Sequence, residues 1–265
     1  MSKVVITPEI EDTQRYEEYE NLLIQKEQLI KEATSYQIRY TQEFGEQICA
    51  NFELKIQCIK VKKSIGYCRR RMNRGLSVDA SKMEAEIEHE MKSYYMQLGT
   101  MQEEYDMAQK AEKIAHYESL LAKRLYRRLA KLLHPDINAM TEQNEELTDL
   151  WNRIVIAYHQ SDVSALEELE VLAKRKLEEL GAEGIEKDYS DLEERIERVE
   201  RQINNIITTE PYSYKEILES AERTEAFRET LKAEHDDFEN YLETLKRALE
   251  EMLRGEASKI VWLTN

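Results

Sequence analysis

Chain breakers are almost missing from this sequence, and that constrains its fold more than any other feature. Only 7 Gly and 3 Pro occur in 265 residues. Between them lie long runs of Glu, Lys, Leu, Arg, Ala, Gln and Met, which lose little on entering a helix. Apolar residues recur at spacings of three and four and do not alternate as in strands, so the fold class is all-α. The length allows two or three modules.

The prolines and a few glycines divide the chain. Pro8 precedes a helical run from about Glu9 to Arg74, with apolar positions at Tyr16, Tyr19, Leu23, Ile30, Ala33, Tyr36, Tyr40, Phe44, Ile48 and Phe52. Gly45 and Gly66 are expected to bend it. Asn73-Arg74-Gly75 reads as a helix stop, and Ser77 or Asp79 as the next cap. The following helix is predicted to run unbroken from Ala80 to Leu133, through a seam of Met91, Tyr94, Leu98, Met101, Tyr105 and Ala108. Together these predict a long antiparallel coiled-coil hairpin over residues 9–120.

Pro135 ends the second arm, because its ring lacks an N–H and restricts the preceding residue. A helical module over 121–180 comes next, restarting near Thr141, broken at Gln160-Ser161-Asp162 and stopped at Gly181. Over 185–257 a second, shorter helical hairpin is predicted. Leu192, Ile196, Val199 and Ile203 mark one arm, and Ile217 to Leu249 the other. The expected molecule is elongated. Val4-Val5-Ile6 and Ile260-Val261-Trp262-Leu263 are β-prone, which leaves pairing, frayed ends or a partner-binding tail open.

The net charge of -16 opposes general affinity for nucleic acid. Cys49, Cys58 and Cys68 are odd in number and lack CxxC spacing, against a disulfide framework or zinc ribbon. No apolar stretch reaches the roughly 18 residues of a membrane span. The start, MSKVVITPEIEDTQRY, has no signal-peptide core, so a cytoplasmic location is expected. Glu86 and His89 have ExxH spacing without a second such pair, so no metal or other cofactor is expected. His134 and Asp136 lack a nucleophile and a pocket, so the chain is not read as an enzyme.

One basic cluster comprises Lys55, Lys60, Lys62, Lys63, Arg69, Arg70, Arg71 and Arg74, at the predicted hairpin tip. It reads as a solvated tip, as cations paired with acids on another copy, or as a contact for nucleic acid, an anionic membrane or an acidic protein.

The module at 121–180 carries the chemistry. Leu125, Leu129 and Leu132 share one helix face and need an apolar cover. Trp151, Ile154, Ala157 and Tyr158 supply one at matching spacing, and the short connection makes the two helices neighbours. His134-Pro135-Asp136 then sits at the end of a helical pair. It is alternatively no more than a Pro stop with a histidine placed well for the helix dipole. Arg124, Arg127, Arg128 and Lys131 form another face, uninterrupted by acid between Glu118 and Asp136. Such a face suits an acidic docking partner, or is simply solvated.

Tyr126-Arg127-Arg128-Leu129-Ala130, followed by Leu132-Leu133-His134-Pro135-Asp136, resembles helix II and the loop of the J-domains of DnaJ-type co-chaperones. Trp151, Ile154, Ala157 and Tyr158 resemble the apolar positions of helix III. The resemblance spans Leu121 to Leu166, under a fifth of the chain, and no separate helix I is legible before it. It implies docking on a DnaK-type chaperone ATPase, with ATP turnover belonging to that partner. His134, Pro135 and Asp136 would trigger hydrolysis, and Arg124, Tyr126, Arg127, Arg128 and Lys131 would form the docking face. The helical arms would then serve a client, a partner or a second copy in a homo-oligomer. The alternative is a non-catalytic coiled-coil scaffold with a vestigial elbow, tethering an anionic partner through the basic tip.

Overall fold

In the computed structural model, residues 10–111, 116–181 and 191–262 are described. They form α1 (Ile10–Asn73), α2 (Ala80–Lys110), α3 (His116–Leu133), α4 (Ala139–Gln143), α5 (Glu145–Gln160), α6 (Val163–Glu179), α7 (Leu192–Thr208), α8 (Lys215–Leu218) and α9 (Ala221–Trp262). A 3-10 turn, Tyr212–Tyr214, precedes α8. Val4-Val5-Ile6 and Leu263 lie outside the described residues, and 260–262 are helical. The chain separates into two units: Met1–Ser35 with Glu112–Ser213, and Tyr36–Ala111 with Tyr214–Asn265.

The first unit is built on α3, α5 and α6, which pack on one another. Their apolar stripes meet in one core: Ala122, Leu125, Tyr126, Leu129 and Leu133 from α3, Leu147, Trp151, Ile154 and Tyr158 from α5, and Leu166, Leu169, Ala173 and Leu177 from α6. Each large apolar side chain taken out of water there contributes about 1.5–3 kcal/mol. The first stretch of α1 adds Ile24 to this core. It also builds a second one, where Tyr16, Tyr19, Leu23 and Leu29 meet Ile137 and the Leu192, Ile196, Val199 and Ile203 stripe of α7.

Caps set the ends of these helices. Asn138, Asn144 and Asp162 each accept a backbone N–H of the turn they open. The expected restart near Thr141 is therefore two elements, a one-turn α4 and then α5. At the end of α5, Ser161 takes the left-handed conformation, with φ of 56°. Its N–H bonds the carbonyl of Tyr158, and that of Asp162 the carbonyl of Ala157. Lys31 of α1 closes the same helix end, with Nζ 2.5 Å from the Tyr158 carbonyl and 2.6 Å from Ser161 Oγ. A cation there complements the negative end of the helix dipole.

In the second unit the later part of α1 has two partners. On one side Ile56 packs with Ile87 and Met91 of α2. On the other, Phe44 meets Phe227 of α9 edge-on at 4.8 Å, and Tyr40 stacks on Tyr214 at 4.0 Å. Asn51 Nδ2 bonds the Leu231 carbonyl of α9 at 2.8 Å.

Three expectations are corrected by this packing. The elongated two-helix coiled-coil hairpin is not what forms, because α1 is packed by α2 and by α9 in one unit and by α7 in the other. Simple coiled-coil character fails with it. The second arm is not continuous: α2 ends at Lys110, where Ala111 is extended (φ -65°, ψ 122°). No Gly or Pro marks that position in the sequence. The shorter C-terminal hairpin is replaced as well, since the stripes predicted to pair with each other each find α1 instead. A stripe shows which face needs cover but does not name the partner.

Candidate docking site

The His134-Pro135-Asp136 corner follows directly from the end of α3 at Leu133. His134 N–H continues the helical pattern to the Ala130 carbonyl at 2.9 Å, and the N–H groups of Ile137 and Asn138 turn back to the His134 carbonyl. Asn138 ties the turn to α3: its Nδ2 donates to the Leu132 carbonyl at 2.8 Å, while its Oδ1 accepts from Met140 N–H.

The histidine faces inward. It is 6% exposed, and its ring meets Trp151 edge-on at 4.9 Å. Nδ1 accepts the Asp136 backbone N–H at 3.1 Å. Burial pushes the imidazole down to about 4; the Asp136 carboxylate pulls it back upward, and Lys26 adds to the depression. An outward-presented histidine is therefore not a property of this corner. The Asp136 side chain does face solvent, at 54% exposure, with its carboxylate 3.9 Å from Nδ1. Pro135 is half-buried.

Two elements remote in sequence brace the corner. The Tyr16 hydroxyl of α1 donates to the Ile137 carbonyl at 3.2 Å. Arg195 of α7 donates to the Asp136 carbonyl at 2.6 Å while its guanidinium lies 4.5 Å from the Tyr19 ring centroid. Neither residue was singled out for this corner by the sequence. Tyr16 showed only as a core position, and nothing local links Arg195 to a tripeptide 59 residues away.

The basic face is less uniform than its sequence. Arg124, Arg127, Arg128 and Lys131 are all exposed. Arg128, however, holds Glu170 of α6 through Nε and a second nitrogen at 3.2 and 2.7 Å. With Lys174 also bonded, those contacts hold the Glu170 carboxyl down to about 2. Lys131 reaches the buried Glu20 of α1 at 3.4 Å. Arg124 and Arg127 have no ion pair among the described residues. Tyr126, placed on the docking face by the resemblance, is instead buried and stacked on Tyr158 at 4.1 Å. Burial raises its hydroxyl pKa, and Glu27 and Tyr158 add to the rise. Leu125, Leu129, Trp151, Ile154, Ala157 and Tyr158 lie in the core, with Leu132 partly buried against it.

The other basic cluster lies in the second unit and is partly paired within the chain. Lys60 bonds Glu88, Lys63 bonds Glu90, and Arg70 bonds Glu86 at 2.8 Å. Arg71 donates to the Ser77 carbonyl at 3.0 Å. Lys62, Arg69 and Arg74 are exposed. The α2 acids thus lower the net charge that an anionic partner would meet.

Among the described residues no group of three His, Cys, Asp or Glu side chains is placed to hold a metal ion, and no helix is long and apolar enough to cross a membrane. The labels J-domain and His-Pro-Asp motif find no support beyond the residues that suggested them. Compared with models of known families, with curated proteins and with solved structures, the chain matches none.

Proposed function

We propose that the first unit is a non-enzymatic docking module for a DnaK-type chaperone ATPase. Contact is made by the Asp136 carboxylate and the exposed guanidiniums of Arg124 and Arg127. His134 and Tyr126 hold that surface from beneath, and turnover belongs to the partner. The supporting observation is that an exposed carboxylate ends a braced helical corner whose adjoining helix exposes two cations without an ion pair among the described residues. Charges so placed govern encounter rate and orientation. A cytoplasmic location is part of the same proposal.

The test uses side chains whose removal leaves the core intact. Single-turnover ATP hydrolysis by the DnaK-type chaperone of the same organism is measured alone and with wild type, Asp136→Asn or Arg127→Ala. Wild type is expected to accelerate hydrolysis, and each variant to lose about tenfold of that acceleration at equal concentration. A wild-type rate equal to that of the chaperone alone defeats the reading. His134→Gln is a poorer probe, since it also removes a buried ring from Trp151.

A further inference from the structure

We infer that Arg195 is the positioning residue of the docking corner, holding Asp136 in its presented geometry from α7. The inference rests on the docking reading for its functional consequence, but its structural part stands without it. The corner offers three backbone carbonyls close together. That of His134 is taken by the chain itself, accepting from Ile137 and Asn138 at 2.9 and 2.8 Å. That of Asp136 accepts from Arg195 at 2.6 Å, and that of Ile137 from Tyr16 at 3.2 Å.

The Arg195 contact is built rather than incidental. Its guanidinium is flanked by the Tyr19 ring at 4.5 Å, and one nitrogen is 3.3 Å from the Tyr19 hydroxyl. An aromatic ring attracts and restrains a neighbouring guanidinium, and the same nitrogen serves the Tyr19 hydroxyl and the Asp136 carbonyl. The start of α7 is in turn fixed to α1. Leu192 and Ile196 pack with Tyr16, Tyr19 and Ile137, and Arg15 donates to both Glu193 oxygens. An ionised donor on a backbone carbonyl is stronger than a neutral one. Arg195 therefore orients the peptide unit next to the exposed carboxylate without itself being the group that a partner reads.

Two measurements test this, with Arg195→Ala, Arg195→Lys and Arg198→Ala. Arg198 lies on the same helix, paired with Glu194 at 3.5 Å, and serves as the control. In the full chain without partner, hydrogen exchange at the Ile137 and Asn138 amides is expected to quicken about tenfold in Arg195→Ala. It should recover substantially in Arg195→Lys and stay unchanged in Arg198→Ala. Unchanged exchange in Arg195→Ala overturns the inference whether or not the docking reading holds.

With the chaperone present, Arg195→Ala is expected to raise the concentration for half-maximal stimulation several-fold while the rate at saturation is retained. Arg195→Lys should rescue it. Stronger stimulation in Arg195→Ala would overturn positioning and show that α7 restrains the corner instead. Absence of stimulation by wild type would fail the docking reading while leaving the exchange result to decide the role of Arg195.

Discussion

The imidazole of His134 accepts the backbone N–H of Asp136 through Nδ1 at 3.1 Å, which fixes the tautomer. Nδ1 must be unprotonated, so the ring proton sits on Nε2. Protonating Nδ1 would bring two donors face to face and place a cation in a buried site beside Trp151. The corner is therefore a neutral-histidine structure.

That predicts acid lability. The His134 pKa is pushed to about 4 in the folded chain against an ordinary value of 6.5, chiefly by burial. Between those values the unfolded chain binds the extra proton, so stability is fully present above pH 6.5 and lost as pH falls toward 4. From this residue alone the loss between pH 7 and pH 5 is roughly 2 kcal/mol. Urea unfolding of wild type and His134→Gln at both pH values checks it. The variant should be less stable at pH 7 yet show a shallower fall, and parallel falls would refute the assignment.

Lys31 predicts the opposite region of the pH scale. Burial lowers its pKa to about 8 from 10.5, even though the Tyr158 carbonyl, the Ser161 hydroxyl and the Tyr158 ring receive its ammonium. The folded chain then sheds the proton first, so stability is reduced below pH 8 and rises as pH goes from 8 to 10.5. The amine is only half-buried, and solvent screening trims the rise to about 1 kcal/mol. Lys31→Met should abolish the rise. Thermal unfolding at pH 7.5 and 9.5 measures it, and an identical rise in the variant would assign it elsewhere.

The sequence made the helical class, several stops and the composition of the α3–α5 core legible, because those depend on propensity, caps and periodicity. Asp79 and Asp162 cap where expected, and Gly75 and Gly181 both take positive φ just past helix ends. What stayed illegible was pairing. Tyr16 and Tyr19 read as one more stretch of arm, yet they cover the corner and α7. The identity of the exposed cations was equally hidden, since only the folded chain shows Glu170 engaging Arg128 and leaving Arg127 to solvent. Contacts distant in sequence carry no periodic signal.

Asn51 supplies a third prediction. It is 4% exposed; its Nδ2 donates to the Leu231 carbonyl at 2.8 Å and to Glu234 at 3.1 Å. Its Oδ1 accepts from Gln47 at 2.9 Å and lies 3.0 Å from His235 Nδ1. A buried polar layer of this kind costs most when one member is removed and the others are left unpaired. Asn51→Leu is expected to destabilise the second unit by about 1–3 kcal/mol in urea unfolding. An unchanged midpoint would show that Gln47 and His235 find water instead.

Two glycines of the second unit should respond with opposite signs to the same substitution. A Cβ on Gly45 would stand 2.6 Å from Tyr105 Cδ2 and 3.3 Å from Thr41 Cγ2. Gly45 is therefore a close-approach position that admits the Tyr105 ring of α2, and α1 stays helical through it. Gly99 lies within α2, and a Cβ there would meet no atom within 4 Å. Alanine gains about 1 kcal/mol over glycine in a helix. At Gly45 that gain is outweighed by displacement of a packed ring, a cost of about 1–3 kcal/mol. Gly45→Ala should thus lower the urea midpoint and Gly99→Ala raise it by up to about 1 kcal/mol. If both raise it, the α1–α2 approach at Tyr105 is looser than 2.6 Å implies.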